Sequence, residues 1–320
     1  MANADQILTL IKSHIEGDEE RFRTTALQIS ALEAKAGHTV LARSINELIK
    51  SKQKLILKPA FRPIQSDLQE FVLEIENPYR FTDLVCNENV SFKIKRVINE
   101  YVQREKLYQF NLENRRKLLL AGPSGTGKTM TASIIANELD KPLYIVLMEK
   151  VVTKFMGETS LKLRKIFDFI QEIPGVYLFD EFDAIGSQRG MDNEVGEMRR
   201  ILNSFLQFME RDHSESLILA ATNNLDVLDK ALFRRFDDVI EYSLPADEEI
   251  IEILERKLNN FASNLNFHSL LPALRSMSHA EITIICTDAI KEALLNNKEI
   301  DIHLIDSIVS QRYSAYKKVD

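Results

Sequence analysis

Leu118-Leu119-Leu120-Ala121-Gly122-Pro123-Ser124-Gly125-Thr126-Gly127-Lys128-Thr129 is the stretch on which the reading of this chain turns. The three leucines make a short buried strand, and Gly122 to Thr129 matches G-x-x-x-x-G-K-[ST]. Residues 129–139 then have the makings of a helix. Between a strand and a helix this pattern has physical meaning. The glycines let the backbone wrap a phosphate with its N–H groups turned inward, and the helix N-terminus adds positive potential. Gly122, Pro123, Ser124, Gly125, Thr126 and Gly127 are thus candidate nucleotide-cradling residues. Lys128 is suited to neutralise β- and γ-phosphate oxygens, and the Thr129 hydroxyl to ligate Mg²⁺. The alternative is a Gly-rich turn without a ligand, and the strand–loop–helix context weighs against it.

Working outward, Val176-Tyr-Leu-Phe-Asp180-Glu181 is a second apolar strand that ends in two carboxylates. Adjacent carboxylates at a strand end point in different directions and can take different tasks. Asp180 is the candidate to hold Mg²⁺, and Glu181 to orient and activate an attacking water. The alternative is a plain acidic loop, since Asp183 follows. Further strands are expected at residues 143–147, 217–221 and 238–244, with helical stretches between the first four. Short apolar runs separated by helices imply a parallel sheet covered on both faces. After Pro245 only helical patterns occur, for example Ile250, Ile251, Leu254 and Leu258.

Before this region, residues 1–58 carry three amphipathic stretches: Ile7, Leu8, Ile11 and Ile15; Phe22, Ala26, Ile29 and Leu32; and Val40, Leu41, Ile45, Leu48 and Ile49. They read as a three-helix module that either caps or docks a partner. Lys58-Pro-Ala-Phe-Arg-Pro63 reads as a linker. The expected fold class is α/β. An all-α module (1–58) and a linker (59–80) precede a P-loop parallel-sheet domain (81–245), and a C-terminal helical lid (246–320) follows.

Composition narrows the function. The 320 residues are 45% hydrophobic and hold no apolar run near the roughly 18 residues that cross a bilayer, so no membrane insertion is expected. The first residues lack the features of a secretory signal. Cys86 and Cys286, the two cysteines, read as packed reduced thiols of a cytoplasmic protein. A net charge of −7 argues against nucleic acid as the partner. A basic segment with Lys93, Lys95, Arg96, Arg104, Lys106, Arg115, Arg116 and Lys117 keeps that alternative open, although Glu100, Glu105 and Glu113 are interspersed.

Taken in order, GPSGTGKT (122–129), YLFDEFDAIGSQRG (177–190) and LAATNNLDVLDKALFRRFDDVIEYSLP (219–245) resemble the AAA family of AAA+ ATPases, over roughly residues 81–300. The domain plan is similar to that of the meiotic clade, which includes katanin and spastin. The resemblance implies ATP as substrate with Mg²⁺, and it alone speaks for ATP over GTP. It implies that Asn223 is the residue sensing the γ-phosphate and the attacking water, with a simple turn asparagine as the alternative. Arg234 and Arg235 match the family's paired arginine fingers, which reach a neighbouring subunit's site; locally they could equally be a surface pair bonded to Asp237 and Asp238. The family's usual form is a hexameric homo-oligomeric ring. Phe155 and Met156 resemble the pore loop that grips a polypeptide, against the alternative that Phe155 is core. Gln188-Arg189-Gly190 and Glu197-Met198-Arg199-Arg200 resemble subunit-contact positions. Leu84 and Val85 resemble the segment that covers the adenine. In Ser278-His279-Ala280, Ala280 fits the lid motif that lies against the nucleotide, and His279 replaces its usual glycine.

The leading functional expectation is an ATP-hydrolysing ring that remodels, unfolds or threads a protein client. Alternatives are a nucleotide-dependent assembly switch for a partner enzyme such as a separate protease, and a DNA-associated ATPase. No H-E-x-x-H occurs, which excludes a built-in zinc protease of that type. The C-terminal residues lack the hydrophobic–Tyr–X tail by which the family's proteasomal members dock.

Overall fold

The computed structural model describes residues 9, 12, 19–35, 38, 68–76, 78–153, 156–183, 192–225, 233–259, 261–262, 265–296 and 299–316. The chain divides into two compact units, residues 1–64 and 65–320. In the first, helix α1 (Glu19–Lys35) coincides with the second of the three expected amphipathic stretches. Its buried face carries Thr25, Ala26, Ile29, Ser30 and Glu33, while Leu32, expected on that face, is exposed. The stripe is therefore rotated by about one residue, and it is partly polar. Glu33 pairs with His38 at 2.6 Å just past the helix end. The other two expected helices lie outside the described residues, apart from Thr9 and Lys12.

The second unit is built on a six-stranded sheet of order β1-β3-β4-β5-β2-β6. Its strands are β1 (Val72–Ile75), β2 (Lys117–Ala121), β3 (Leu143–Leu147), β4 (Val176–Asp180), β5 (Leu217–Thr222) and β6 (Asp238–Glu241). Strands β2 to β6 run parallel, as the apolar runs imply. β1 corrects the sequence reading, which placed residues 59–80 in a linker. It lies antiparallel along β3, with Val72 opposite Val146 and Ile75 opposite Leu143. Only Val72 of this edge strand is buried, and Leu73 and Ile75 are exposed. A half-exposed edge of four residues leaves no continuous apolar run to read. β6 stops at Glu241, three residues short of the expected end at 244.

Helices cover both faces of the sheet. In α2 (Glu88–Val102), Val90, Ile94, Val97 and Tyr101 fall on one buried stripe, and Asn87 caps its start by accepting the Val90 N–H at 2.9 Å. α3 (Lys128–Glu138) is buried nearly all round, which small residues such as Ala132, Ser133 and Ala136 allow. α4 (Met156–Glu172) and α5 (Asp192–Arg211) pack Phe167 and Phe205 against Phe179 of β4, with Phe179 and Phe205 ring centroids 4.9 Å apart. Phe182 packs on Phe205 at 4.8 Å and donates its N–H to Ala221 O at 2.8 Å. This clamp holds the turn at the end of β4 in place.

Past Pro245 lie α6 (Asp247–Leu258), α7 (His279–Asn296) and α8 (Ile302–Tyr316), with the short helix Leu271–Leu274 between the first two. They enclose their own core of Ile250, Leu254, Leu258, Leu274, Ile282, Ile285 and Ile305, separate from the core around the sheet. Among the described residues no helix is long and apolar enough to cross a membrane.

Candidate nucleotide site

Gly122 leaves β2 with φ of +149°, and a Cβ there would sit 2.2 Å from Tyr242 O, so no side chain fits. The loop that follows delivers Lys128 and Thr129 onto the first turn of α3. Lys128 Nζ donates to Gly122 O at 2.7 Å, Pro123 O at 2.9 Å and Asn223 Oδ1 at 2.9 Å. Burial pushes its ammonium below the usual lysine range, while Asp180 and Asp183 pull the other way. The Thr129 hydroxyl donates to Asp180 Oδ2 at 3.1 Å, and Asp180 Oδ1 accepts the Glu181 N–H at 2.9 Å.

Glu181 holds a left-handed backbone, φ +52°, which a non-glycine residue adopts only when its surroundings impose it. Here the Phe182 clamp holds the turn in which it lies. Asn223 follows directly on β5, and its N–H reaches Asp183 Oδ1 at 3.5 Å. Lys128, Thr129, Asp180, Glu181 and Asn223, taken from three separate segments, thus line one cavity of about 570 Å³.

The lid closes the other side. Ala280 donates its N–H to Gly125 O at 3.0 Å. Ser278 and Glu281 form a reciprocal cap at the start of α7: Glu281 Oε2 accepts the Ser278 N–H at 2.7 Å, and the Glu281 N–H reaches Ser278 Oγ at 3.3 Å. Leu84 and Val85 cross between the two halves. Leu84 joins the core of the sheet and Val85 packs on that of the lid, and both line the cavity. His279 lines it too; burial lowers its imidazole pKa from the usual value, against an opposing pull from Glu249.

Sequence reading missed Tyr79, Ile253, Arg256, Lys257, Thr283 and Ile284, which also line the cavity. No motif marks them. Tertiary contacts bring them there: Asn137 Nδ2 donates to Tyr79 O at 2.8 Å, and Arg256 Nη1 to Thr82 O at 2.5 Å.

Arg234 and Arg235 are exposed and stand apart from this cavity. Their local alternative does not hold. Arg235 pairs with Glu210, and Arg234 makes no ion pair or hydrogen bond with another described residue. Asp237 Oδ2 instead accepts the backbone N–H groups of Arg116 and Lys117, each at 2.9 Å, and Asp238 is ringed by Lys93, Arg96 and Arg115. Phe155, Lys154 and residues 188–190 lie outside the described residues, as do the side chains of Met156 and residues 197–199.

The model of the ATPase family associated with various cellular activities (AAA) matches residues 118–244, the span from β2 to just past β6. An uncharacterized AAA family ATPase of Sinorhizobium fredii is 32% identical over 305 residues, covering 93% of this chain and 92% of the relative. A proteasome-activating nucleotidase of Methanopyrus kandleri is 32% identical over 74% of this chain, and an ATP-dependent zinc metalloprotease FtsH of Mycoplasmopsis synoviae is 32% identical over 76% of it. The chain spans only 57% and 38% of the length of those two. The crystal structure of the FIGL-1 AAA domain superposes with a TM-score of 0.61 at 19% identity, covering 82% of this chain and 98% of that one, and it shares the fold. A phosphate loop, a paired-carboxylate strand end and a lid around one cavity, with a relative matched over nearly its whole length, place the chain in the AAA family of ATPases, enzymes that bind and hydrolyse ATP.

Proposed function

We propose that this ATPase works as a homo-oligomeric ring, hexameric as is usual for the family, that remodels or threads protein clients in the cytoplasm. Arg234 carries the reading. An exposed, permanently charged guanidinium with no partner among the described residues, just before β6 and away from its own cavity, is suited to reach phosphate oxygens in a neighbour's site. Such fingers are worth about 10³–10⁵ in rate. Arg235 takes the supporting position beside it.

Within one chain, Gly122 to Gly127 cradle the phosphates and Lys128 neutralises their oxygens. Thr129 Oγ1 and Asp180, two hard oxygen donors 3.1 Å apart, fit the small oxygen-coordinated Mg²⁺, which would supply charge neutralisation at the phosphates. Glu181 orients and deprotonates the attacking water, and Asn223, already bonded to Lys128, reports the γ-phosphate. Leu84, Val85 and Ala280 cover the base. Phe155 and Met156 grip the client, and the module of residues 1–58 docks the client or a partner, a separate protease among them. The lid of residues 246–320 moves against the sheet domain of residues 81–245 as ATP turns over.

Proteasome-activating nucleotidase and zinc metalloprotease FtsH, by name, couple nucleotides to protein processing, which supports a protein client. The DNA-associated alternative loses ground, because much of the basic segment is engaged within the chain: Lys93 and Arg96 share Asp238, Arg115 pairs with Glu100, Arg104 with Glu215 and Arg116 with Asp212.

Subunit mixing tests the proposal. Glu181→Gln and Arg234→Ala chains are each expected to lose turnover. Mixed together, they regain it wherever an intact Glu181 site meets a neighbour's intact Arg234. A mixture as inactive as its components would refute the action of Arg234 across subunits.

A further inference from the structure

His279 occupies the position where the family resemblance leads one to expect glycine, and it lines the cavity beside Ala280 and Thr283. Both of its ring nitrogens are shut off from solvent, and neither meets a hydrogen-bond partner among the described residues. A polar group in that condition has lost its water without gaining a replacement. The side chain is nevertheless only partly buried, so its exposed surface belongs to carbon and backbone. The outline of an imidazole is nearly symmetric about the Cβ–Cγ bond. A half-turn therefore exchanges each nitrogen with a ring carbon in the same volume. Burial keeps the ring neutral against the pull of Glu249, and a neutral imidazole offers one donor and one acceptor.

The rest of the cavity fixes what can meet it. Phosphates are held at one end by the loop of Gly122 to Thr129. The lid side, where His279 lies, carries an apolar wall of Leu84, Val85, Ile253 and Ile284 beside Arg256, Lys257 and Thr283. The part of a nucleotide that suits an apolar wall, yet carries ring nitrogens and an amino group in need of partners, is its base. We propose that His279 hydrogen-bonds the edge of the adenine base and serves as a specificity-determining residue of the ATP site. This rests on the assignment of the cavity to ATP. A glycine, the usual residue of the family's lid motif, offers no such contact, so this chain reads the base with a side chain.

Calorimetric titration with ADP avoids hydrolysis and decides the matter. The full chain, His279→Leu, His279→Gly and His279→Gln are each titrated with ADP, with analogues lacking one polar group of the base (purine riboside, 1-deaza, 3-deaza and 7-deaza diphosphates) and with 2′-deoxy-ADP. In the unaltered protein one base analogue is expected to bind roughly five- to tenfold more weakly than ADP, the effect of one hydrogen bond. His279→Leu and His279→Gly lose that much affinity for ADP and become indifferent to that analogue, and His279→Gln regains part of the preference. Affinity that falls equally for ADP and every base analogue would mean that His279 only packs, and the proposal is overturned. Coupling confined to 2′-deoxy-ADP overturns it as well. Failure of the unaltered chain to bind ADP would overturn the ATP-site assignment itself. His279→Gly removes the ring without adding bulk, which keeps the test available if His279→Leu does not fold.

Discussion

Gly125→Ala tests whether the phosphate loop and the lid act as one unit. Gly125 has φ of +74°, a left-handed conformation that costs an alanine about 1–2 kcal/mol. The added Cβ would also lie 2.5 Å from Ser278 Oγ and 3.1 Å from the Cβ atoms of Ser278 and Ala280. Ser278 cannot simply swing away, because Glu281 holds both its N–H and its hydroxyl. The lid must retreat, and the 3.0 Å bond from Ala280 N–H to Gly125 O goes with it, about 1 kcal/mol more. The sum is roughly 2–3 kcal/mol, so ADP should bind roughly 30- to 150-fold more weakly by calorimetry. Ser278→Gly deletes two of the three close contacts, and as a helix cap glycine costs only a few tenths of a kcal/mol. The double variant should therefore recover about fivefold, leaving the backbone strain. Gly157→Ala, where a Cβ meets nothing within 4 Å among the described residues, should leave affinity unaltered. A double variant that binds no better than Gly125→Ala would refute the steric argument. Undiminished binding by Gly125→Ala would refute the cradle.

Two further outcomes follow from buried charge. Arg116 is bonded through its guanidinium to both the carboxylate and the carbonyl of Asp212, which is fully buried. Arg116→Met leaves that carboxylate with only the N–H and hydroxyl of Ser214, and should cost about 3 kcal/mol in denaturant unfolding, the lower end for a broken buried pair. An unchanged midpoint would show the pair to be immaterial. Burial pushes the Asp238 carboxyl up, but Lys93 and Arg96 outweigh it and hold it below the ordinary 3.8. A depressed carboxylate contributes stability that is present above the unfolded value and lost as pH falls through the folded one. Asp238→Asn should accordingly flatten the loss of stability below about pH 4. An equally steep acid limb in the variant would exclude Asp238 as its source.

What could be read from sequence, and what could not, divides along a physical line. Gly122 to Thr129 and Val176 to Glu181 are legible because each packs a strand and the chemistry at its end into one contiguous run. The β1 edge is not, because an edge strand buries one face of four residues. The face of α1 misled for a related reason: Glu33 is buried and paired with His38, five residues on, and periodicity of apolar residues cannot register a buried charge. The lid wall of the cavity was the least legible. Lys257 and Thr283 sit on two helices whose apolar periodicity reports only the lid's own core, and they lie off that stripe; Ile253 lies on it, and its periodicity does not register that it also lines the cavity. His279 was visible as a departure from a motif, but a departure alone could mean a lost contact or a new one. Only the two unpartnered nitrogens at the cavity wall distinguish these. A merely lost contact would leave the nitrogens free to face water, whereas nitrogens shut off without a partner call for a ligand to supply one.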